Sequence, residues 1–339
     1  MKVSFLVTFY NQYEYVSACI ESILAIKKDF EWEILIGDDG STDKTREIVQ
    51  KYIDKFPKNI RLYCMERNNG VKQIVKRSSL NRINLVNHMS GDFFCIIDGD
   101  DYYCDNDFVR KAMMIFADNP KLSVVAFGYQ RVTNACDVIS KYAIDKSGLV
   151  SLDTYLKNYY TPAGACVFRN ILSNNVLDKL NQIGFYDDND IVMLSLNYGE
   201  LYAVPEIVYS YRQNDESTYN SMDDIEQMVL NVQGWDADRN YLTRARRCLL
   251  YRNIRPIVQM VFQRRNIKKL GSKKIGEYYK ESESIPDSYT KLLLGYERDS
   301  WRHSVRLICF ILKVAIYFPK CFVKEVIKYF MKELAALMR

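Results

Sequence analysis

Two clusters of aspartates each follow a short apolar segment. Asp38-Asp39-Gly40-Ser41-Thr42-Asp43 comes after the segment 32–37, and Asp98-Gly99-Asp100-Asp101 comes after the segment 93–97. Carboxylates separated by one residue on a turn can point at one place, and such oxygen ligands suit Mg²⁺ or Mn²⁺. An acidic turn or a helix cap would explain either cluster taken alone. Their shared position after a hydrophobic run favours a functional site.

Other side chains at these positions have the chemistry to hold a nucleoside. Two adjacent aspartates before Gly40 exceed what a turn requires, and a carboxylate there can accept hydrogen bonds from a base or a ribose. Ser41 or Thr42 is expected to cap the helix that follows. Tyr10 lies just after the apolar segment 3–8, where it could stack on a planar ring, although the chain has 26 tyrosines.

The segments that must position these residues alternate between strand and helix patterns. The predicted strands are 3–8, 32–37, 60–64 and 93–97, and the helices between them include 13–26 and 79–89. This alternation indicates βαβ units and a mixed, mostly parallel α/β sheet flanked by helices. Ligands of such sheets bind beyond the carboxyl ends of the strands, and both acidic clusters lie at such ends.

The pattern changes near residue 220. Before it, strands are predicted at 122–132, 165–169 and 201–212, and helices at 151–158, 171–181 and 188–198. After it, only helices are predicted, at 224–249, 253–266, 288–296 and 303–338. Residues 1–240 hold 25 basic and 34 acidic side chains, whereas residues 241–339 hold 22 basic and 8 acidic, so the net charge of +5 hides an acidic body and a basic tail.

Composition excludes several classes of protein. The 339 residues are 48% hydrophobic and 13% aromatic, which excludes a disordered chain. The nine cysteines include no CxxC pair, and His88 and His303 are the only histidines, which argues against a zinc site or a Ser-His-Asp triad. The first residues are apolar too briefly for a secretory signal, so we expect free thiols in a reducing, cytosolic compartment.

Three motifs in this order and spacing resemble glycosyltransferase family 2, whose members have the Rossmann-like GT-A fold. They are Val3-Ser4-Phe5-Leu6-Val7-Thr8-Phe9-Tyr10-Asn11, Asp38-Asp39-Gly40-Ser41-Thr42-Asp43, and Gly91-Asp92-Phe93 leading into Asp98-Gly99-Asp100-Asp101. The resemblance implies a catalytic domain over 1–220, with a nucleotide-sugar-binding half (1–110) and an acceptor-binding half (111–220). A helical, basic C-terminal region, 221–339, would follow it.

The resemblance also assigns roles to single residues. Those that would hold the nucleobase, usually uracil, are Thr8, Tyr10 and Asp39. Asp98 would contact the ribose, and Asp100 would bind the Mn²⁺ or Mg²⁺ that bridges the diphosphate, with Asp98 and Asp101 as further candidates for the metal shell. The family often places a basic residue against the nucleotide from a segment that here carries Lys72, Lys76, Arg77 and Arg82. Arg77 and Arg82 are our candidates, and the other interpretation treats two or three of the four as solvated charges.

Asp187-Asp188-Asn189-Asp190 opens the predicted helix 188–198, where acidic residues also interact favourably with the helix dipole. In the family the second acid of such a pair is the catalytic base. Counting back from Gly199 assigns this role to Asp188, with Asp190 as the alternative. In the family, a segment that contains Arg, His and Ser often follows the last strand. Arg212, Asn214 and Ser217 stand at that place here, and the histidine is missing.

The basic tail contains the apolar run 307–318, which Pro319 ends well short of the roughly 20 residues that a membrane-spanning helix needs. Beyond it, lysines recur every four residues beside an apolar stripe, at Lys320, Lys324, Lys328 and Lys332. This pattern predicts a basic amphipathic helix within 303–338 that lies on an anionic membrane. Packing on the same chain or on a second copy in a homo-oligomer is the other interpretation.

The resemblance implies an inverting enzyme that moves a sugar from a nucleotide-sugar donor, usually UDP-linked, to a hydroxyl of a glycan or lipid-linked glycan. The setting would be bacterial surface polysaccharide or glycolipid assembly at the inner face of the cell membrane. A non-catalytic nucleotide-sugar or glycan-binding protein and a sugar nucleotidyltransferase are the alternatives. The second would need a glycine-rich basic loop after the first strand, and none follows Thr8. The interleaved lysines do not suggest nucleic-acid binding.

Overall fold

A computed structural model describes residues 1–67, 74–152, 154–155, 159–213, 222–241, 271–285, 289–294 and scattered positions between 309 and 331. The chain forms two compact units. The first comprises Met1–Tyr155 and Tyr159–Ser217, and the second contains Thr218–Arg339. The division after Ser217 lies close to the boundary predicted near residue 220.

The first unit is built on one mixed sheet, of which ten strands lie in the described residues. They are β1 (Lys2–Phe9), β2 (Glu31–Asp38), β3 (Ile60–Cys64), β4 (Phe93–Asp98), β5 (Tyr102–Tyr103), β6 (Leu122–Val132), β7 (Val138–Tyr142), β8 (Gly148–Val150), β9 (Cys166–Arg169) and β10 (Glu200–Arg212). Their order is β3-β2-β1-β4-β9-β6-β10-β5, with β7 beside β6 and β8 beside β10. The β3-β2-β1-β4 block and the β6–β10 pair are parallel, so the predicted mixed, mostly parallel sheet is confirmed.

Helices cover both faces of the parallel block. In the first unit they are α1 (Val16–Leu24), α2 (Thr45–Lys55), α3 (Ile74–His88), α4 (Phe108–Asp118), α5 (Asn174–Ile183) and α6 (Asp188–Leu196). Strands β1 and β4 are buried on both faces, which is why their sequences are continuous apolar runs. Helix α3 packs closely on β2, where the Asn81 Nδ2 donates to the Gly37 carbonyl at 3.0 Å.

The parallel register brings the strand ends to one edge of the sheet. Phe9 of β1 lies opposite Asp38 of β2, and Thr8 lies opposite Asp98 of β4. The two acidic clusters therefore flank the end of β1, although 60 residues separate them in the chain. This edge is where the candidate site residues meet.

Some local predictions were wrong. Helix α2 begins at Thr45 after Lys44, and neither Ser41 nor Thr42 caps it, because the Ser41 hydroxyl accepts the Asn11 backbone N–H at 3.0 Å instead. Helix α3 begins at Ile74 instead of near 79. The prediction missed its first five residues, Ile-Val-Lys-Arg-Ser, because two adjacent apolar residues show no helical periodicity. The strands β5 and β8 were not predicted because two and three residues are too few for a period-two pattern, and β7 was not predicted because Val-Ile-Ser-Lys-Tyr does not alternate apolar and polar residues.

The second unit contains α7 (Asp224–Tyr241), α8 (Gly271–Glu281) and α9 (Tyr289–Leu294), of which α8 was not predicted. Buried polar side chains join them: Gln233 donates to the Ser282 hydroxyl at 2.9 Å, and Asp236 accepts the Thr290 backbone N–H at 2.6 Å. The predicted helix 253–266 lies outside the described residues. Within the described part of the chain, none of the helices has the length and apolar character needed to cross a bilayer.

Candidate active site

Backbone and side-chain hydrogen bonds join the ends of β1, β2 and β4. The Thr8 hydroxyl donates to Asp98 Oδ1 at 2.9 Å, and the Gly99 N–H donates to the Thr8 carbonyl at 2.9 Å. An ideal Cβ on Gly99 would lie 2.0 Å from Phe9 Cδ1, so only glycine allows the 98–101 turn to approach β1 this closely. The end of β1 therefore positions the second acidic cluster directly.

The two aspartates of the first cluster have different tasks. Asp38 Oδ1 accepts the backbone N–H groups of Gly40 and Ser41 at 3.1 and 3.0 Å and the Arg46 Nε at 2.6 Å, so Asp38 builds the turn. Gly40 has a φ of +77°, a conformation that side chains rarely adopt. With Asp38 holding the turn, the Asp39 carboxylate is directed toward the site.

Two arginines hold Asp39, which is almost fully buried. The buried Arg77 engages both carboxylate oxygens, with its Nε 2.9 Å from Oδ2 and a terminal nitrogen on Oδ1. Arg67 adds a contact of 3.0 Å to Oδ2 and donates its Nε to the Asp39 carbonyl at 2.9 Å. The guanidinium carbon of Arg67 also lies 3.4 Å from the Tyr10 ring centroid. Tyr10, Asp39 and Arg77, all predicted site residues, therefore meet at one place, whereas the Thr8 hydroxyl contacts Asp98.

Arg82 of α3 joins the end of β4 to the start of α6. One terminal nitrogen lies 2.8 and 3.0 Å from the Asp98 oxygens and 3.7 Å from Asp188 Oδ1, and the other lies 2.9 Å from Asp187 Oδ1. Burial disfavours the charged guanidinium, but these three carboxylates outweigh that effect and raise the pKa of Arg82 above its ordinary value. Arg82 therefore stays cationic and holds the two acidic segments together.

The expectation of solvated charges in the basic segment was wrong. Lys76, Arg77 and Arg82 are all buried. Arg77 and Arg82 pair with carboxylates at the sheet edge, and the Lys76 ammonium lies 4.9 Å from the Phe185 ring centroid. Lys72 lies outside the described residues, as do Asn214 and Ser217.

The acids that open α6 also differ in environment. Asp187 is the N-cap, and Asp190 completes a capping box by accepting the Asp187 N–H at 2.9 Å. Asp190 is almost fully buried in this cap. The Asp188 side chain is instead 30% exposed and points toward Arg82. Of the two candidates for the base, Asp188 is the one that solvent reaches.

Protein atoms packed around Asp188 change its acidity. Burial raises the pKa of Asp188 to about 7, the Arg82 cation opposes the shift, and the charges of Asp187 and Asp98 add to it. The Ala163 backbone amide also favours the ionised form. A carboxylate with this pKa can exchange a proton near neutrality, which suits a general base.

Asp101 connects the second cluster to β10. Its Oδ1 accepts the Arg212 backbone N–H at 2.7 Å, and its Oδ2 accepts the Tyr209 hydroxyl. Burial, with the neighbouring Asp100 and Asp98 charges, raises the pKa of Asp101 well above its ordinary value. The Arg212 side chain donates to the backbone carbonyls of Asp100 and Asn134, both at 2.7 Å. Asp101 and Arg212 thus hold the turn that carries Asp100.

The chemistry of Asp100 fits a divalent metal. Its half-buried side chain supplies hard oxygen donors at the carboxyl end of β4. Among the described residues, no group of three or more His, Cys, Asp or Glu side chains is arranged to hold a metal ion. Mg²⁺ is usually bound through one or two carboxylates plus substrate phosphates, so a lone carboxylate at this position suits it.

Sequence reasoning missed Arg67 and Tyr209 as site residues. Arg67 follows β3 without belonging to any motif, and the Tyr209 hydroxyl contacts a residue 108 positions earlier in the chain. A local pattern contains no signal for either contact.

Comparisons with known proteins agree with this architecture. Residues 4–172 match the model of Glycosyl transferase family 2. An uncharacterized glycosyltransferase of Mycoplasma pneumoniae is 27% identical over 184 residues, which is 53% of this chain and 56% of that protein. An uncharacterized protein of Mycobacterium tuberculosis is 22% identical over 222 residues, 62% of this chain and 59% of that protein. The chain thus spans between a half and three fifths of these relatives.

Solved structures share the fold. The crystal structure of Staphylococcus aureus TarS 1–349 in complex with UDP-GlcNAc superposes with a TM-score of 0.54 at 19% identity, covering 84% of this chain and 82% of that one. The curated TarS, a poly(ribitol-phosphate) beta-N-acetylglucosaminyltransferase, is 33% identical over 105 residues, which is 30% of this chain and 17% of that protein. The predicted GT-A fold is confirmed, and the chain belongs to glycosyl transferase family 2.

Proposed function

We propose that the protein is an inverting glycosyltransferase that moves a sugar from a nucleotide-sugar donor, UDP-linked, to a hydroxyl of a glycan or lipid-linked glycan. The observation that carries the proposal is the Arg82 cluster. It holds Asp98, on the donor side, and Asp188, a carboxylate with a pKa near neutrality, around one guanidinium.

The nucleotide would lie at the ends of β1, β2 and β4. Asp39 offers carboxylate oxygens to a base N–H, and Tyr10 offers a ring for stacking. Asp98, whose side chain is 38% exposed, offers an acceptor for ribose hydroxyls. Arg77 holds the Asp39 carboxylate in place through both of its oxygens.

Asp100 is the residue that would hold Mn²⁺ or Mg²⁺, with Asp98 beside it. A cation bound there would stabilise the negative charge that grows on the leaving diphosphate. Asp101 contributes by positioning, because hydrogen bonds from Tyr209 and Arg212 occupy both of its carboxylate oxygens.

Asp188 would accept the proton of the acceptor hydroxyl as that oxygen attacks the anomeric carbon. General-base help of this kind contributes roughly 10²–10⁴-fold to the rate. A single attack opposite the leaving diphosphate inverts the anomeric centre. Asp190, the alternative base, is engaged in the helix cap, so the proposal assigns the base to Asp188.

The relatives inform the acceptor and the pathway. TarS is named for transfer to poly(ribitol phosphate), and a Staphylococcus epidermidis relative is named as a teichoic acid poly(glycerol phosphate) polymerase. We therefore place this enzyme in the assembly of a bacterial surface polysaccharide or glycolipid. The acceptor would enter beside residues 111–220, the part of the chain that carries Asp188.

The tail would hold the enzyme on the inner face of the cell membrane. The described residues between 309 and 331 are helical, and five apolar side chains among them are more than half exposed: Leu312, Ile316, Val323, Ile327 and Met331. On one continuous helix their spacing would place them on one stripe, with the exposed Lys320 within it and Lys324 at its edge. An apolar stripe interspersed with lysines suits an anionic lipid surface.

A panel of nucleotide sugars with Mn²⁺ tests the reaction. Release of nucleoside diphosphate from one donor, dependent on an acceptor glycan, is expected for the wild type. D188N and D100A should each abolish release while the far-ultraviolet circular dichroism stays that of the wild type. Pyrophosphate release would indicate the nucleotidyltransferase instead, and donor binding without release would indicate the non-catalytic protein.

Sedimentation with vesicles tests the tail. Wild-type protein should bind vesicles containing phosphatidylserine and not vesicles of phosphatidylcholine alone, and I316E/I327E should lose that binding. V138E is the control, because Val138 is a half-exposed apolar residue of the first unit. Equal binding of I316E/I327E and wild type would contradict membrane docking.

A further inference from the structure

Arg67 lies on the ring to which the proposed function assigns the nucleobase. Its guanidinium carbon is 3.4 Å from the Tyr10 ring centroid, which is direct contact between two planar groups. At this distance no third planar group fits between them. The covered face of Tyr10 is therefore already occupied by a side chain of the same protein.

The same guanidinium also uses hydrogen-bond acceptors of Asp39. Arg67 donates to the Asp39 carboxylate at 3.0 Å and to its carbonyl at 2.9 Å. A base that stacks on Tyr10 and donates an N–H to Asp39 would need the same two partners. Arg67, a planar group with N–H donors at its edge, thus resembles such a base in shape and in hydrogen bonding.

Arg67 and Arg77 differ in how firmly they are held. Only 3% of the Arg77 side chain is exposed, and Arg77 engages both Asp39 oxygens, whereas 34% of the Arg67 side chain is exposed. Arg67 contacts its partners through one stacked ring, one partly exposed ion pair and one hydrogen bond to a backbone carbonyl, and such interactions are individually modest. Arg67 can therefore leave while Arg77 still holds the Asp39 carboxylate in place.

We propose that the Arg67 side chain occupies the nucleobase position. The donor must displace this side chain before the base of the donor can stack on Tyr10. The inference rests on the proposed function. When the binding-competent form is a fraction of the protein, the apparent dissociation constant is the intrinsic one divided by that fraction. Stacking of Arg67 on Tyr10 thus weakens donor binding by competition.

Calorimetric titration with UDP tests the proposal. If the displaced form is about a tenth of the protein, R67A should bind UDP roughly 10-fold more tightly than wild type. R67K keeps the charge but loses the planar stack, so its affinity should lie between the two. R61A is the matched control, because Arg61 is a half-exposed arginine of β3 that pairs with Glu33, and its affinity should equal that of wild type.

Unchanged or weaker UDP binding by both R67A and R67K would overturn the inference, because Arg67 would then be neutral or a nucleotide ligand. Those results would not contradict the proposed function, since the wild-type protein would still bind UDP. Absence of UDP binding to the wild type and to both variants would instead refute a uridine donor, and the inference with it. Thermal unfolding of each variant confirms that the titrated protein is folded.

Discussion

One terminal nitrogen of Arg82 donates to both carboxylate oxygens of Asp98, at 2.8 and 3.0 Å, and the guanidinium that makes this contact is almost fully buried. The same side chain binds Asp187 and lies near Asp188. A helix between β3 and β4 therefore supplies the cation that joins the end of β4 to the start of α6.

Replacement of Arg82 should harm both stability and activity. R82M leaves carboxylates near one another without their counter-charge, which should lower the free energy of unfolding by about 3 kcal/mol. This value is the low end for a broken buried ion pair, because Asp98 and Asp187 retain access to solvent. R82K should recover part of the stability, since it restores the charge without the planar fork. R110M, at an exposed pair with Asp107, should change stability by no more than about 1 kcal/mol. Urea denaturation measures all three, and equal stabilities of R82M and wild type would contradict the role of Arg82.

The dependence of kcat/KM on pH should report Asp188. The base must be ionised, and its pKa is raised to about 7, so the rate should rise as pH increases through about 7 and level off above it. Because Arg82 opposes this rise in pKa, R82K, which keeps the cation, should keep the midpoint, whereas R82M should move it to higher pH. A midpoint near pH 4 in the wild type would indicate that Asp188 has an ordinary pKa and would count against the assignment.

The two candidate bases should separate by substitution. D188N should abolish transfer with little change in stability. D190N should lose part of the capping box, costing about 0.5–2 kcal/mol, and should retain the chemistry. Single-turnover assays and thermal denaturation of both variants decide between them, and the reverse pattern would assign the base to Asp190.

Removal of the Tyr209 hydroxyl should loosen the turn that carries Asp100. Y209F leaves the buried Asp101 Oδ2 without that donor, at a cost of about 1–3 kcal/mol. Transfer should weaken as well, because Asp101 positions the turn. Y142F removes the hydroxyl of a half-exposed tyrosine and should behave as wild type. Guanidinium denaturation and initial-rate assays compare the two variants. A Y209F protein as stable as Y142F would contradict the anchoring role of the Tyr209 hydroxyl.

Gly99→Ala should disrupt the same turn from the side of β1. Its Cβ would meet Phe9 Cδ1 at 2.0 Å and the Thr8 carbonyl at 2.8 Å, so we expect a loss of about 1–3 kcal/mol and a fall in activity. G148A is the control, because nothing lies within 4 Å of a Cβ there. Thermal unfolding compares the two variants, and a G99A protein as stable and active as G148A would show that the turn tolerates displacement.

The ends of the strands could be predicted from the sequence because they depend on the local pattern of apolar and polar residues. Strands β1 and β4 are buried on both faces, so each is a continuous apolar run that stops where polar residues begin. The aspartates after β2 and β4 are therefore recognisable from the chain alone as neighbours at one sheet edge. Register predictions of this kind need only the rule that parallel strands end together.

The sequence by itself determined the parallel sheet, the strand ends that carry Asp39 and Asp98, and the family to which those motifs belong. Tertiary structure decided which side chains pair: Arg82 binds Asp187 across 105 residues, and Tyr209 donates a hydrogen bond to Asp101 across 108. It also separated Asp188 from Asp190, because the second is used in a helix cap. Strand and turn patterns are set by neighbours in the chain, whereas burial and ion pairing depend on which distant segments the fold brings within a few ångströms of each other.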